Sequence, residues 1–497
     1  MSESYIPPPT ANGTSQHSVD AAPVFTTMPP GDHPVNDNPS ADHAPFFTPA
    51  HKISPGAAIS PNPPTLFTPL KIRSKTLKNR IIVSPMCQYS TAATGPTIGQ
   101  LTPYHVATLG MYAIKGAALT FIEATAVQFS GRITPNCPGL WADHQIQPIK
   151  NVVDMIHSQG GLVGIQLAHA GRKASTTAPW IAMSQSKQVL GPDGTTKNKM
   201  RSSMRASPDV GGWTPVGPSD RSMHPQNKSQ AWDMRDDSDP NGGYYEPHAL
   251  TLDEIAQLLQ DWKAAAKRAV QAGVDVIEVH AAHGYLLTEF LSPVTNLRKD
   301  RYGGSFENRT RLLRETIQAV RSVIPEDMPL FLRMSTTEWL EDSADEKETG
   351  GSWDVQSTIQ VALQLESLGI DLLDASSGGN YPSQRASAFT HKDYQTKIAG
   401  QIRAEIKKRG GKLLVGAVGL ITDAEQASGL VQVDEKAEAQ AARDATEGGP
   451  GHEPMADVIF IARQFMREPE WVFRTAHHLD VDVAWPSQWD RVRFPKL

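Results

Sequence analysis

Three polar ring side chains, those of His280, His283 and Tyr285, lie close together in the sequence. They directly follow a short run of β-branched residues, which is typical of a buried strand. Two imidazoles and a phenol can donate hydrogen bonds to one small polar group. We therefore expect a binding or catalytic site at the point where this strand ends.

The pair His280 and His283 has two other interpretations. The rings could satisfy backbone groups of a turn, or they could bind a metal ion. A metal ion would need further ligands, and the predicted strand ends offer little besides Glu123, His169 and Cys87. We therefore expect no metal site.

The strand before these residues is one of eight that short apolar runs predict between helical patterns. Near-continuous runs of Val, Ile and Leu are typical of strands that are buried on both faces of a parallel sheet. The predicted strands are 80–84, 119–125, 162–167, 274–280, 330–334, 372–376, 412–415 and 458–461.

The segment 251–273 shows the pattern of a connecting helix. Thr251 and Glu254 have the spacing of a capping box, apolar residues recur at helical spacing, and Gly273 marks the end. A second connecting helix is predicted from about Val355 to Leu368. Strands that alternate with helices in this way indicate an α/β fold, a (β/α)8 TIM barrel. An open doubly wound sheet is the alternative, but no Gly-x-Gly-x-x-Gly follows a predicted strand.

The length of the chain exceeds what a barrel needs. It has 497 residues, whereas such barrels typically need about 250. Residues 1–62 are rich in Pro, Ser, Thr, Asn and Asp and cannot bury enough apolar surface to become ordered, so we predict a disordered tail. The barrel domain is predicted over 63–497, with polar insertions near 181–245 and 432–455, the second a solvated helix or loop.

Charge and cysteine content argue against several classes of protein. The formal net charge is -6 without a long basic run, so no nucleic acid is expected as a partner. No apolar run is long enough for a bilayer, and the N-terminus lacks an apolar signal region. Two cysteines, Cys87 and Cys137, favour a reducing compartment. We expect a cytoplasmic protein, since the C-terminal Pro-Lys-Leu only distantly resembles a peroxisomal signal.

Further small or polar residues stand at the predicted strand ends, where (β/α)8 barrels carry their active sites. The glycine-rich turn after the seventh strand and Arg463 after the eighth match the usual phosphate site of these barrels, so we expect a phosphate-bearing cofactor. The residues at the strand ends are Ser84, Pro85, Met86, Cys87, Tyr89, Ala124, Gln166, Arg333, Ser376, Gly378, Gly416, Gly419, Ala462 and Arg463.

Motifs along the chain, from about residue 66 to the C-terminus, resemble the Old Yellow Enzymes. Cys87, Tyr89 and the closing Gln488-Trp489-Asp490-Arg491 look most like the thermophilic-like subgroup, and the polar insertions suggest a fungal-type branch. The motifs are Leu66-Phe67-Thr68-Pro69-Leu70, Asn79-Arg80-Ile81, Ser84-Pro85-Met86-Cys87, His169-Ala170-Gly171-Arg172-Lys173, His280-Ala281-Ala282-His283-Gly284-Tyr285-Leu286, Phe290-Leu291-Ser292-Pro293, Asp300-Arg301-Tyr302-Gly303-Gly304-Ser305 and Glu307-Asn308-Arg309.

The resemblance implies an FMN-dependent ene-reductase. Such enzymes reduce the C=C bond of α,β-unsaturated carbonyl compounds, enones and enals, with NADPH or NADH. The implied cycle is ping-pong, in which the nicotinamide reduces the flavin and leaves before the substrate binds in the same place. NADPH is the donor that the resemblance favours.

The resemblance also assigns roles around the substrate. His280 and His283 would hold the carbonyl oxygen as it becomes enolate-like. Tyr285 would protonate Cα, unless it only packs over the substrate. Tyr89 would orient the substrate, and Cys87 would contact it and tune the flavin, unless this thiol is a small buried hydrophobe.

The implied flavin site uses the remaining strand ends. Gln166 would pair with the pyrimidine edge of the flavin, and Arg333 would stabilise its anionic reduced form unless it makes an internal ion pair. A C-terminal arginine, here Arg491, would reach the neighbouring site of a homodimer. Ser84, Pro85, Met86, Cys87 and Ala124 would approach the flavin ring, and Ser376, Gly378, Gly416, Gly419, Ala462 and Arg463 would complete the cofactor site, mainly around the ribityl chain and phosphate.

Two alternative functions remain open from the sequence. The chain could be a flavoenzyme like the dienoyl-CoA reductases that lacks their iron–sulfur part, because two isolated cysteines cannot hold such a cluster. It could also be a barrel that binds flavin or another ligand without turnover.

Overall fold

The computed structural model describes residues 38–42, 44–185, 187–190, 196–199, 203–220, 243–381, 384, 391–432 and 453–494. Contacts divide the chain into two units, 1–39 and 40–497, and the second unit contains the barrel.

Eight parallel strands close into a barrel in which neighbours in the sequence are neighbours in space. The (β/α)8 prediction is confirmed, and the open doubly wound sheet is wrong. All eight predicted strands are present, with ends that differ from the predictions by a few residues. The barrel strands are β3 (Ile81–Val83), β4 (Leu119–Ala126), β5 (Leu162–Ala168), β10 (Val276–Ala281), β11 (Leu330–Ser335), β12 (Leu372–Ser376), β13 (Leu414–Val418) and β14 (Val458–Ile461).

Short strand pairs lie outside the barrel. An antiparallel pair comes before the first barrel strand, a second antiparallel pair lies within the segment predicted as the first insertion, and a parallel pair joins that segment to residues just after it. They are β1 (Leu70–Ile72) with β2 (Lys75–Leu77), β6 (Lys187–Leu190) with β7 (Thr196–Lys199), and β8 (Val216–Gly217) with β9 (His248–Ala249).

Helices follow the barrel strands and cover the outside of the sheet. The predicted capping box is confirmed, because Thr251 Oγ1 accepts a hydrogen bond from Glu254 N and the Glu254 carboxylate accepts one from Thr251 N. The helices are α1 (Pro103–Ile114), α2 (Ile146–His157), α3 (Pro179–Ser184), α4 (Leu252–Ala272), α5 (Leu286–Leu291), α6 (Phe306–Arg321), α7 (Ala344–Thr349), α8 (Val355–Leu365), α9 (Thr396–Lys408), α10 (Ala424–Val431), α11 (Arg463–Arg467) and α12 (Trp471–His478).

Side chains alternate between the inside and the outside of the barrel along each strand. In β10, Ile277 and Val279 pack with the helices, whereas Val276 joins an interior cluster with Phe121, Phe331 and Phe460. The Phe121 ring centroid lies 6.1 Å from that of Phe331 and 6.1 Å from that of Phe460. The amino-terminal half of the barrel is therefore filled by apolar side chains, and polar side chains occupy the interior nearer the carboxyl ends.

Three aspartates tie neighbouring strands together at the amino-terminal face of the barrel. Each stands immediately before or close to the start of a strand, and its carboxylate accepts a backbone hydrogen bond from a neighbouring strand. The bonds are Val163 N to Asp275 Oδ2 at 2.8 Å, Leu330 N to Asp371 Oδ2 at 2.9 Å and Val415 N to Asp457 Oδ2 at 2.8 Å.

The predicted end of the N-terminal tail at residue 62 is wrong. Gly56 N donates to Ala484 O at 2.8 Å, Ala484 N donates to Ala57 O at 2.9 Å, and Ile59 N donates to Asp482 O at 2.7 Å. Backbone pairing with a segment near the C-terminus thus orders these residues despite their polar composition. The expectation of disorder for residues 1–37 lies outside the described residues.

The two insertions differ in how much of them is described. The first, near 181–245, is described over 181–185, 187–190, 196–199, 203–220 and 243–245. The prediction of a solvated helix or loop near 432–455 lies largely outside the described residues. Among the helices described, none is long and apolar enough to cross a membrane.

Candidate functional site

His280, His283 and Tyr285 meet at the carboxyl end of β10, as the sequence predicts. The ring centroid of His280 lies 5.3 Å from that of His283 and 5.2 Å from that of Tyr285, each pair edge to face. A sharp turn brings the rings together, since His283 and Gly284 adopt φ values of 62° and 72°. A side chain on Gly284 would collide with the carbonyl oxygen of Gly379, so only glycine fits there.

Hydrogen bonds fix His283 on three sides. Its backbone N–H donates to Ser335 Oγ at 2.8 Å, and its ring Nε2 lies 2.8 Å from Ser376 Oγ. Its carbonyl oxygen accepts from Lys173 Nζ at 2.8 Å. Ser376, predicted as a cofactor ligand, therefore also orients one of the imidazoles.

Both imidazoles are neutral near pH 7. Burial, then the positive charge of Arg333, lowers the pKa of His280 and of His283 well below 6.5, and Lys173 adds to the effect on both. A neutral imidazole offers one N–H donor and one acceptor. His280 Nδ1 is buried without a hydrogen-bond partner among the described residues. No cluster of three or more metal-ligating side chains occurs in that part of the chain.

Tyr285 and Tyr89 keep their phenolic protons. Burial raises the pKa of Tyr285 well above 10, and the nearby Cys87 and Tyr89 raise it further. Burial likewise raises the pKa of Tyr89. Tyr89 adopts a φ of 51°, and its ring packs edge to face on Trp180 at 5.7 Å between centroids.

Cys87 is a protonated thiol that lies next to a buried carboxylate. Burial raises its pKa well above 9.0, and Glu123 adds to the rise. Glu123 accepts a hydrogen bond from the backbone N–H of Gln88, which immediately follows Cys87. His105 Nε2 lies 3.7 Å from Glu123 Oε1 on the other side. Sequence reasoning named Glu123 only as a possible metal ligand and missed its role in holding the Cys87 turn.

A layer of buried polar groups lies inside the barrel below the rim. Gln166 Nε2 donates to Glu278 Oε1 at 2.7 Å, and Arg333 Nη1 donates to Ser84 Oγ at 2.9 Å. Arg333 Nε also lies 3.2 Å from Asp374 Oδ2. The internal ion pair considered for Arg333 is therefore present, and the same guanidinium also faces a cavity.

That cavity, here called the arginine cavity, has a volume of about 460 Å³ and opens at the ends of β3 and β11–β14. Gly419 adopts a φ of 107°, and a Cβ there would lie 2.5 Å from Gln395 Nε2. The predicted residues that line the cavity are Ser84, Pro85, His283, Arg333, Ser376, Gly419, Ala462 and Arg463. Lining residues that were not predicted include Tyr394, Gln395 and Arg467.

The arginine cavity fits a flavin mononucleotide. Arg463 and Arg467 place two guanidinium groups in its lining, which is the kind of site that would hold a phosphate. Arg333 supplies a further buried positive charge for an anionic ring. Sequence reasoning could have found Arg467, because it stands one helical turn after Arg463.

Several predicted cofactor residues do not line this cavity. Gly416 faces the barrel interior, where a Cβ would lie 2.4 Å from the Phe460 ring, so its assignment to the phosphate site is wrong. Gly378 shapes the turn behind His283, because its carbonyl accepts from Ser335 Oγ at 2.8 Å. Four others lie at the ends of β3, β4 and β5 outside the lining, namely Met86, Cys87, Ala124 and Gln166.

Arg491, predicted to reach a neighbouring subunit, lies at the surface of the protein. It is exposed in the 3-10 helix Ser487–Val492 and does not line the arginine cavity. The neighbouring Trp489 packs under Lys115, whose Nζ lies 3.7 Å from the ring centroid.

Comparisons with known proteins agree with this geometry. The sequence model of the NADH:flavin oxidoreductase / NADH oxidase family matches residues 65–482. An NADH:flavin oxidoreductase of Gibberella zeae is 38% identical over 457 residues, which covers 92% of this chain and 95% of the relative. An NADPH dehydrogenase of Halalkalibacterium halodurans is 35% identical over 426 residues, which covers 86% of this chain and 98% of the relative.

Solved structures are similar over most of the chain as well. Morphinone reductase superposes with a TM-score of 0.56 at 25% identity, covering 86% of this chain and 92% of that one. The Old Yellow Enzyme homologue of Zymomonas mobilis superposes with a TM-score of 0.53 at 26% identity, covering 87% and 98%. The chain therefore belongs to the NADH:flavin oxidoreductase / NADH oxidase family and is a flavin-dependent oxidoreductase of the Old Yellow Enzyme type, with FMN and NAD(P)H as its cofactors.

Proposed function

We propose that this enzyme reduces the C=C bond of α,β-unsaturated carbonyl compounds in a ping-pong cycle. Bound FMN supplies the redox chemistry, since it accepts electrons from NAD(P)H and passes them to an activated alkene. The observation that carries the proposal is the pair of neutral imidazoles, His280 and His283, fixed 5.3 Å apart between centroids beside a protonated tyrosine.

The imidazole pair suits a developing negative charge on oxygen. An enone accepts a hydride equivalent at Cβ only when its carbonyl oxygen is stabilised as it becomes enolate-like. Donors that are already oriented provide this stabilisation without reorganisation. Ser335 and Lys173 hold the backbone of His283 and Ser376 orients its ring, so the imidazole is already positioned before a substrate binds.

Tyr285 is the proposed source of the proton for Cα. Its raised pKa keeps the phenol protonated across the neutral range, so a proton is always available. The Tyr285 and His280 ring centroids are 5.2 Å apart, which allows both to face one small substrate. Tyr89 and Cys87 are proposed to contact the substrate from the end of β3.

The proposed flavin site combines the arginine cavity with the polar layer beneath it. Arg463 and Arg467 would bind the phosphate, Ser84 and Arg333 would lie against the ring, and Gln166 would pair with its pyrimidine edge. The other proposed contacts are made by Pro85, Met86, Cys87, Ala124, Ser376, Gly378, Gly419 and Ala462.

A homodimer with Arg491 in the neighbouring site remains part of the proposal. The side chain is exposed and lies outside its own arginine cavity, which is compatible with a contact to a second subunit. Sedimentation velocity of the wild type and of Arg491→Ala tests this idea, together with the KM for an enone. A monomeric wild type, or an unchanged KM in a dimeric Arg491→Ala variant, would contradict the proposed contact.

The experiment that tests the function separates the two half-reactions. The holoenzyme is reduced anaerobically with a stoichiometric amount of NADPH or NADH and is then mixed with enones and enals in a stopped-flow instrument. We expect reoxidation of the flavin that depends on enone concentration, with the saturated carbonyl compound as product. A reduced flavin that only oxygen reoxidises would overturn the proposal.

A further inference from the structure

A second cavity lies on the carboxyl-terminal face of the barrel, beside the proposed substrate site. We call it the insertion cavity, because residues 204–210 and Tyr245 of the first insertion form part of its wall. Its volume is about 810 Å³, larger than that of the arginine cavity. The remaining walls come from the loops that follow β3, β4 and β5.

The lining of the insertion cavity is mainly apolar. Ile181, Met204, Ala206, Pro208 and Val210 contribute aliphatic surface, and Tyr245 contributes an aromatic ring. Its charged residues, Arg205 and Asp209, have opposite signs, so the cavity favours no particular ionic ligand. A pocket of this size and polarity is typical of a site for an uncharged organic group.

Hydrogen bonds hold the insertion cavity in shape. Thr177 N donates to Met204 O at 2.8 Å, and Ala206 N donates to Ser175 O at 2.9 Å. Tyr245 Oη donates to Ala206 O at 2.7 Å. The first two bonds attach the insertion to the loop after β5, and the third joins two parts of the insertion to each other.

Two contacts connect residues beside the cavity to the proposed substrate site. On one side, Trp180 next to Ile181 packs on Tyr89, with ring centroids 5.7 Å apart. On the other side, Lys173 Nζ lies 5.9 Å from the ring centroid of Tyr244, which is adjacent to Tyr245, and 5.3 Å from that of Tyr285. One residue beside the cavity therefore packs on Tyr89, and another is linked to Tyr285 through Lys173.

We propose that the insertion cavity binds a large apolar substituent, such as an aryl group or a long alkyl chain, of the α,β-unsaturated carbonyl substrate. This inference rests on the proposed function. The carbonyl end of the substrate lies at His280 and His283, and the substituent extends past Tyr89 and Tyr244 into the cavity. Burial of the apolar substituent then contributes binding free energy that a small enal cannot obtain.

The test compares two enals that differ in their substituent, cinnamaldehyde with a phenyl ring and crotonaldehyde with a methyl group. Ile181→Trp and Val210→Trp each fill the cavity from its exposed edge, where Ile181 is 40% and Val210 is 54% exposed. We expect each variant to lower the ratio of kcat/KM for cinnamaldehyde over crotonaldehyde by about tenfold or more, because apolar pockets discriminate single methylene groups by at least that factor.

The matched control is Ile53→Trp. Ile53 is 49% exposed and does not line the insertion cavity, so this variant should keep the wild-type ratio. A wild-type ratio in both cavity variants, with unchanged thermal unfolding, would overturn the inference. Because both substituted positions are exposed, neither variant is expected to misfold. A loss of activity that is confined to the larger enal would therefore not result from misfolding.

A binding measurement separates this inference from the proposed function. Phenol and para-phenylphenol are titrated into the holoenzyme, and the flavin absorbance reports their dissociation constants. We expect the wild type to bind para-phenylphenol more tightly than phenol. In the cavity variants, the ratio of the phenol to the para-phenylphenol dissociation constant should fall about tenfold or more, as for the enals. If neither enal is reduced but this preference is present and lost in the variants, the proposed function fails and the binding site stands. An unchanged preference in both variants would overturn the inference.

Discussion

The side-chain amide of Gln166 donates a hydrogen bond of 2.7 Å to the buried carboxyl group of Glu278. The two residues are directly opposite each other in the neighbouring strands β5 and β10. Because the amide nitrogen is directed at Glu278, the amide oxygen is oriented to accept a hydrogen bond from another group. The carboxyl group thus orients the Gln166 amide so that its oxygen can accept a hydrogen bond from the ring N–H at the pyrimidine edge of a flavin.

Replacement of Glu278 should therefore weaken FMN binding. We expect Glu278→Met to raise the dissociation constant of FMN about tenfold or more, since a buried hydrogen bond to an ionisable group is lost. Fluorescence titration of the deflavinated protein measures the constant. Glu425→Met, at an exposed position of α10, is the matched control. Equal FMN affinity in Glu278→Met and the control would show that Gln166 does not need this anchor.

His280→Ala should slow the oxidative half-reaction and leave FMN bound. Removal of one preorganised donor to a developing oxyanion costs about 100-fold or more in rate. Phenol-type ligands, which would use the same donor, should also bind more weakly. His144→Ala, at an exposed position, serves as the control. Enone turnover by His280→Ala at the wild-type rate would remove His280 from the substrate site.

Tyr285→Phe should affect one half-reaction only. Loss of a general acid typically costs about 10²–10⁴-fold, and the phenyl ring keeps the packing against His280. We expect slow reoxidation of the reduced flavin by enone and a normal rate of reduction by NAD(P)H, each measured by stopped flow. A normal rate of reoxidation would show that Tyr285 is not the proton donor and would favour solvent.

The binding of uncharged ligands should not respond to the titration of the two imidazoles near neutral pH. The pKa of both His280 and His283 lies well below 6.5, so neither ring changes its charge between about pH 6 and 8. The dissociation constant of phenol, whose own pKa is near 10, should be constant in this range. A break near pH 6.5 that disappears in His283→Ala would contradict the neutral state.

Acid should destabilise the protein through His169. Burial lowers its pKa to about 3, its Nδ1 accepts from Gly171 N at 3.0 Å, and its Nε2 lies 3.1 Å from Gln128 Oε1. Below about pH 6.5 the unfolded chain binds a proton at this histidine and the folded protein does not. The contribution of His169 to the free energy of unfolding is therefore complete above that pH and is lost as the pH falls toward 3. The loss is about 1.4 kcal/mol per pH unit for this group. Urea unfolding at several pH values gives the dependence of the unfolding free energy on pH. This dependence should be weaker in His169→Gln than in the wild type, and an equal dependence would contradict a role of His169 in acid destabilisation.

The sequence predicted the barrel and the residues at its carboxyl ends because buried strands and strand termini have local signatures. Gly416 was assigned to the wrong place because position along a strand does not reveal height within the barrel. It stands two residues before Val418 and so faces the interior, beside Phe460. The ordered segment 54–60 was missed because its partners, residues 482–484, are distant in sequence.

Some missed residues had a signal in the sequence. Glu278 and Asp374 each stand inside an apolar strand, where an unpaired carboxylate is unfavourable. Their positions, in register with Gln166 and Arg333 respectively, required the neighbouring strands to be aligned. Burial raises the pKa of both carboxyl groups, and Arg333 opposes the rise. A layer of polar side chains inside the barrel could thus be expected from the sequence. Which side chains pair with each other in that layer could not.

The aspartates that tie strands at the amino-terminal face have a consequence for how this enzyme can diversify. Asp275, Asp371 and Asp457 hold the barrel at the end opposite the three rings and both cavities. Changes in the length or sequence of the loops at the chemical end leave these ties intact. Selection, or a directed-evolution library, can therefore remodel the insertion around residues 204–210 while the barrel retains its fold.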